Sequence, residues 1–264
     1  MTFWLLYIAT GAVTGVLAGL LGIGGGIVIV PLLTFVFTSQ QMPEHYILHL
    51  ALGSSLASIM FTSVSSFRAH HARGAVHWGV VKTISPGILT GTFFGTWVAA
   101  QLSSRFLSWF FVAFLYYVAA RMFFNVRPKP SRTLPGAMGM FGMGNLIGGV
   151  SSLVGIGGGS LSVPFLARCN LPVHSAVGTS AAIGFPIAVA GAAGYMLNGM
   201  AVDILPSGSI GFVYLPALIG ISLASVMTAP LGVRLAHSLP VSHLKRIFAV
   251  FLVIMGTRML VGFF

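Results

Sequence analysis

The stretch Leu20-Leu-Gly-Ile-Gly-Gly-Gly-Ile-Val-Ile-Val-Pro-Leu-Leu33 returns as Leu153-Val-Gly-Ile-Gly-Gly-Gly-Ser-Leu-Ser-Val-Pro-Phe-Leu166, with 9 of 14 positions identical. Two further echoes follow in the same order. His49-Leu-Ala-Leu-Gly-Ser-Ser55 matches His174-Ser-Ala-Val-Gly-Thr-Ser180, and Phe110–Phe124 aligns with Ile247–Val261, setting Arg121 and Met122 on Arg258 and Met259. The offsets are 133, 125 and 137 residues. The chain therefore reads as two related repeats, 1–126 and 134–264, joined by a basic linker at 127–133 that carries Pro128 and Pro130.

Composition names the solvent of these repeats. Of 264 residues only 13 are Lys or Arg and 2 are Asp or Glu, so charged residues reach 6%, against about 25% in soluble domains. Apolar residues reach 56% and mean hydropathy is +0.99. The runs 1–43, 45–67, 83–104, 133–167, 169–202 and 204–233 hold no charged residue, and each meets the ~20 residues that cross a bilayer core as a helix. The partner implied is the lipid bilayer. A net charge of +11 does not indicate nucleic acid, because the basic residues sit singly or in small groups between apolar spans rather than along one face. Cys169 is the only cysteine, so no internal disulfide can form. Phe3–Leu21 has no Lys or Arg before it, unlike a secretory signal, and is expected to belong to the mature chain.

Each repeat reads as one long apolar segment broken by glycines, followed by three ordinary spans: 3–38, 46–67, 78–101 and 106–124, then 134–168, 174–197, 206–233 and 244–264. A straight helix over 134–168 would be about 52 Å long, far beyond a hydrocarbon core of about 30 Å. Glycine runs are poor helix formers, so the bend is expected at Gly24–Gly26 and Gly157–Gly159. Pro31 and Pro164 are expected to mark bends in the short returning arms. The fold class expected is an all-α polytopic membrane protein with two inverted halves, each a broken or re-entrant helix hairpin plus three transmembrane helices.

Charge placement tests the bend. If each broken segment doubles back, Arg68, Arg73, Lys82, Arg121, Arg127, Lys129, Arg132, Arg168, Arg234, Lys245 and Arg246 fall on one side, and only Arg105 and Arg258 on the other. Both acids, Glu44 and Asp203, join the poor side. Lys and Arg accumulate in cytoplasmic loops, which puts the rich side inside and both termini outside. Three full crossings per half then make the halves antiparallel, the inverted repeat of many secondary transporters.

Irregular backbone at membrane depth must be buried in protein or line a wet cavity, since lipid offers no hydrogen-bond partner. Gly24, Gly25, Gly26, Gly157, Gly158 and Gly159 are therefore expected at such a place, where converging N–H groups and helix N-termini make a cradle for an anion. The plainer alternative is that these glycines only permit a tight turn. Ser54, Ser55, Thr179 and Ser180 stand near the start of the next span, either as donors to anionic oxygens or as packing groups between helices. His49 and His174 offer gating or proton coupling at the two mouths, or are interfacial histidines held by backbone. Arg121 and Arg258 recur in the repeat; they are intramembrane functional charges or side chains that snorkel from a helix end. Gly11, Gly15 and Gly19, with Gly87, Gly91 and Gly95, form four-residue steps that let helix backbones touch. Residues 106–124, without glycine and rich in aromatics, suit a peripheral helix.

No Asp or Glu lies within a span, which leaves a cation site or a carboxylate proton relay without material. His70, His71, His77, Cys169, His174, His237 and His243 have no spacing that fits a zinc site, His45 and His49, four apart, would need further ligands from elsewhere, and Gly53-Ser54-Ser55 lacks the strand-to-helix turn of a serine nucleophile. No enzyme activity, metal or cofactor is expected.

The doubled Gly-Ile-Gly-Gly-Gly at Gly22–Gly26 and Gly155–Gly159, each followed by Pro31 or Pro164, together with the two His-x-Ala-x-Gly-[Ser/Thr]-Ser stretches, resembles the TauE/SafE sulfite exporter family, also called TSUP. The resemblance covers essentially the whole chain. It implies an inner-membrane secondary transporter, an exporter in the favoured reading, of a small sulfur-containing anion such as sulfite or an organosulfonate. Within transport the alternative is an importer or channel for another small anion; outside it, a membrane scaffold. Substrate, direction, coupling ion and oligomeric state stay open at this point.

Overall fold

Glycines in left-handed backbone end the first helix of each half. Helix α1 (Thr2–Leu21) stops at Gly22, with φ 66°, and α2 (Gly26–Ser39) starts from Gly25, with φ 78°. The same steps recur at Gly155, φ 66°, after α6 (Ala137–Val154), and at Gly158, φ 73°, before α7 (Gly159–Arg168). A Cβ in that conformation costs about 1–2 kcal/mol, so glycine at the first and fourth places of Gly-Ile-Gly-Gly lets the chain turn where other residues would continue the helix. These helices come from a computed structural model that describes residues 2–22, 25–124, 133–238 and 241–261. Most of the linker at 127–133 lies outside the described residues.

The first break makes a hairpin. The Gln40 side-chain amide donates to the Tyr7 hydroxyl at 3.1 Å, so the start of α1 and the end of α2 lie side by side. Pro31 and Pro164 sit inside single helices, α2 and α7. A 3₁₀ turn (Glu44–Tyr46) leads into α3 (Ile47–His71), followed by α4 (Trp78–Gln101) and α5 (Ser104–Phe123). In the second half α8 (Val173–Gly199), α9 (Leu215–Ser238) and α10 (Val241–Val261) follow α7. Among the described residues six helices, α1, α3, α5, α6, α8 and α9, are long and apolar enough to cross a membrane. The expected span 206–233 begins later. Its first residues instead form a small antiparallel hairpin, β1 (Ser209–Ile210) and β2 (Val213–Tyr214), because Gly208 and Gly211 take positive φ there.

Helix pairing repeats with the sequence. α1 packs along α9 and α6 along α4; α3 meets α8, α5 meets α10, α2 lies on α3 and α7 on α8. Exchanging the two halves leaves this pattern unchanged. The glycine steps explain the closest pairs: Gly11, Gly15 and Gly19 face the backbone of Ile221, Ser225 and Ala229 in α9, and Gly87 and Gly91 face that of Phe141 and Asn145 in α6. Without a hydrophobic drive between helices in lipid, such backbone approach supplies the dispersion contacts that hold them. The aromatic helix α5 is peripheral on one face, with Phe106, Trp109 and Tyr117 exposed, while Leu107, Phe111 and Leu115 pack inward.

The central pair is α3 and α8, whose spans are 83% and 72% buried. They run antiparallel. Gly53, near the start of α3, packs on Phe212, which bonds through its N–H to the carbonyl of Tyr195 near the end of α8. At the other end of the bundle Gly178, near the start of α8, packs on Ala75, just after α3. That second end holds Arg68, Arg73 and Lys82.

Candidate functional site

The two glycine turns touch. A Cβ on Gly26 would run into the Gly155 carbonyl and stand 2.9 Å from Ile156 Cα. Both turns lie against the central helices, reaching from near their starts to their middles: Gly155 on Leu52 and Gly26 on Ile59 of α3, Gly22 on the Val177 carbonyl and Gly157 on Gly184 of α8. Gly25, Gly26 and Gly155–Gly159 are buried. Gly24 lies outside the described residues.

The four hydroxyls of the second motif bind across the halves. Ser55 donates to the Gly155 carbonyl at 2.8 Å, and Ser180 to the Gly22 carbonyl at 3.2 Å. Ser54 Oγ accepts the Tyr214 N–H at 2.9 Å, and Thr179 Oγ1 accepts the His77 N–H at 3.0 Å. Tyr214 and His77 immediately precede α9 and α4, so these two hydroxyls receive N–H groups at the starts of helices in the opposite half. All four therefore serve the joint between the halves in this conformation.

The helix starts at the turns leave backbone donors outside the helix ladder. The first bonds of α7 run from Leu161 and Ser162 to the Gly158 carbonyl, at 3.0 and 2.9 Å, which leaves the Gly159 and Ser160 N–H groups without an intrahelical acceptor. In α2 the corresponding bonds run from Val28 and Ile29 to Gly25, leaving Gly26 and Ile27. Both helix starts carry partial positive charge, and no acid stands among the turn residues. Two hollows of about 560 Å³ lie on the flanks, one along Phe93, Phe94 and Trp97, the other beside His77 and Pro135. Neither includes a residue of the glycine turns.

One end of the central pair carries a plug of packed aromatic rings. Phe212, 2% exposed, lies with its ring centroid 5.1 Å from His49, 5.5 Å from Tyr46 and 6.4 Å from Tyr195. The matching place at the other end holds only Ala75, against Gly178.

Known proteins decide what kind of machine this is. The family model for the sulfite exporter TauE/SafE matches residues 7–259. The chain belongs to the TauE/SafE family. It is 35% identical over 260 residues to a protein of Haemophilus influenzae named as a probable membrane transporter, covering 98% of each chain. A probable membrane transporter protein of Methanocaldococcus jannaschii is 27% identical over 97% of this chain and 94% of its own. The Bacillus subtilis protein YunE, also named as a probable membrane transporter, is 29% identical over 75% of this chain and 80% of its own. No solved structure matches. This TauE/SafE chain is thus a multi-pass membrane transporter.

The remaining expected residues of this TauE/SafE transporter lie away from the turns. His49 is buried at the Phe212 end; its Nε2 donates to the Ala99 carbonyl at 3.1 Å, and its Nδ1 is 3.2 Å from Ser104 Oγ. A carbonyl can only accept, so Nε2 carries a proton. His174 is exposed on the first turn of α8. Arg121, in the last turn of α5, donates to the Tyr117 hydroxyl at 3.0 Å and lies over that ring, 5.8 Å from its centroid. Arg258 is exposed in the last turn of α10. Among the described residues no three His, Cys, Asp or Glu side chains gather as a metal site.

Sequence reasoning passed over Gly22 and Gly155, the first pivots of each turn, although both recur in the quoted motif. It also passed over Ser151, Ser160 and Phe212. The first two were legible as differences between the repeats; Phe212 lies where the first half has Ala75 and carried no signal of its own.

Proposed function

We propose that the protein is a secondary transporter, operating as an exporter, of a small sulfur-containing anion such as sulfite or an organosulfonate. The two halves are inverted repeats that rock about the touching glycine turns and expose them to each side of the inner membrane in turn. The observation that carries this is the contact of Gly26 with the Gly155 carbonyl and Ile156, against the buried residues Leu52 and Ile59 of α3. It joins two helix N-termini at bilayer depth, where bare N–H groups favour an anion. Family membership supports the substrate class, and the absence of Asp and Glu from the spans argues against a cation. The antiparallel course of α3 and α8 supports the inversion. Arg68, Arg73 and Lys82 at one end and Glu44 at the other support a cytoplasmic face at the Ala75 end and both termini outside.

In this reading the cross-half hydroxyl bonds hold the occluded state. Ser54, Ser55, Thr179 and Ser180 exchange these backbone partners for ligand oxygens or water as one mouth opens. His49, buried near the outer mouth, and His174, exposed at the cytoplasmic mouth, serve gating or proton coupling, and Arg121 and Arg258 act from the membrane surfaces.

The test is thermal stability of purified protein with sulfite, sulfate, thiosulfate, sulfoacetate and taurine, followed by flux of whichever binds in proteoliposomes. A ligand that binds only the folded state raises its apparent stability by several kcal/mol near saturation. Stabilisation by none of these anions, with no flux, overturns the reading.

A further inference from the structure

The repeats differ where they matter chemically. Lined up on the glycines, the second half has Ser151, Ser160 and Ser162 where the first has Ala18, Ile27 and Ile29. Ser162 is satisfied, bonding to the Gly158 carbonyl at 3.0 Å and to Ser180 at 2.6 Å. Ser151 and Ser160 are not: each hydroxyl oxygen is buried and has no hydrogen-bond partner. Ser151 is fully buried, and its Oγ lies 3.3 Å from where a Cβ on Gly158 would stand. Gly158 is the N-cap of α7, and Ser160 is the second residue of that ten-residue helix. An unpaired buried hydroxyl costs about 1–3 kcal/mol, so two beside one helix start need an explanation that packing does not give.

Resting on the transport reading above, we infer that the anion binds at one turn, not symmetrically at both: its oxygens accept from Ser151 Oγ, Ser160 Oγ and the Gly159 and Ser160 N–H groups, and it is a monoanion of the sulfonate or hydrogen sulfite type. The first-half turn, with Ala18 and Ile27, is the apolar wall opposite. The charge state follows from the surroundings. α6 has no Lys, Arg or His; the only basic residue of α7, Arg168, is exposed at its far end; His174 is exposed on the first turn of α8; and His70 of α3 is held on the Gly19 carbonyl of the first half at 3.0 Å. Neutral donors and half a helix charge offset one negative charge, whereas the desolvation cost of a dianion is about four times larger, since the Born term grows with the square of charge.

The experiment measures binding of methanesulfonate and sulfate to the full-length protein and to Ser151→Ala, Ser160→Ala and the control Ala18→Ser. The expected result is that the wild type prefers methanesulfonate to sulfate by about tenfold or more. Each serine variant should weaken methanesulfonate by about tenfold, the worth of one hydrogen bond to a charged group, while Ala18→Ser changes it less than about twofold. Melting of each variant without ligand reports its fold; if Ser151→Ala does not fold, Ser160→Ala decides. Unchanged affinity in the serine variants overturns this site while leaving the transport reading standing. Sulfate bound as tightly as methanesulfonate overturns the monoanion assignment. A wild type that binds neither anion, nor any of the others named above, overturns the transport reading and this inference with it.

Discussion

Ser55 of α3 donates to the backbone carbonyl of Gly155, 100 residues away and in the other half, at 2.8 Å; Ser180 of α8 makes the matching bond to Gly22. Each half thereby grips the helix break of the other. A break is a weak point because left-handed residues leave carbonyls outside the helix ladder, and a buried carbonyl needs a donor. The motif hydroxyl is that donor.

Removing one grip should loosen the joint without unfolding the bundle. Ser55→Ala and Ser180→Ala are each expected to cost about 0.5–1.5 kcal/mol, the range for a hydrogen bond between membrane helices. Unfolding of each variant in detergent, with the double variant alongside, measures it. Losses under about 0.2 kcal/mol in both would mean that the bonds do not hold the halves together.

The turn glycines are expected to differ in kind from a glycine that only needs its φ. Gly74 has φ 68° and open space, with nothing within 4 Å of where a Cβ would stand, so Gly74→Ala should cost about 1–2 kcal/mol from backbone strain alone. Gly155 has φ 66°, and its Cβ would stand 2.7 Å from Leu52 Cδ2 and 3.0 Å from Val30 Cγ2. Gly155→Ala should therefore cost about 2–5 kcal/mol, strain and overpacking together. Equal melting temperatures for the two variants would refute the contrast.

Helix contacts make a second pair. Gly15 faces Ser225 Cα of α9 at 2.7 Å from its would-be Cβ, and Gly15→Leu should prevent α1 from seating on α9. Gly142, in α6, meets nothing within 4 Å, so Gly142→Ala should be neutral or stabilise by about 0.5–1 kcal/mol through helix propensity. Yield of monodisperse protein and its melting temperature read both.

Phe212→Ala empties the aromatic plug between His49, Tyr46 and Tyr195. It should cost about 3–5 kcal/mol as a buried Phe truncation, and Phe212→Leu clearly less. On the proposed orientation it should also let a membrane-impermeant thiol reagent reach Ser54→Cys from outside. Labelling that stays as slow as with Phe212 intact would show that the seal lies elsewhere.

Orientation has its own check. Cysteines replacing Asn198 and Thr133 in intact cells should be labelled from outside at the first and spared at the second. The reverse pattern would turn the proposed topology over.

How much of this was legible in the chain differs by residue type. Charge-free runs, the doubled Gly-Ile-Gly-Gly-Gly and the four-residue glycine steps depend on local physics: hydrocarbon tolerates few charges, left-handed backbone requires glycine, and close helices require small residues. They announced the apolar segments, their breaks and several of their contacts. Ser54, Ser55, Thr179 and Ser180 were legible as hydroxyls near those breaks, but not as donors and acceptors for Gly155, Gly22, Tyr214 and His77. A hydroxyl can serve a ligand, water or any backbone group within reach, and only the packing of α3 against α8 selected which. Phe212 is the clearest case. An aromatic in a glycine-containing turn says nothing of its neighbours until β1 and β2 fold it back onto Tyr195. Sequence alone determined where the helices run and break, because those are short-range properties of each segment. Tertiary structure alone decided which buried polar groups find partners, and so left Ser151 and Ser160 without one, because a partner can come from any part of the chain that packing brings within reach.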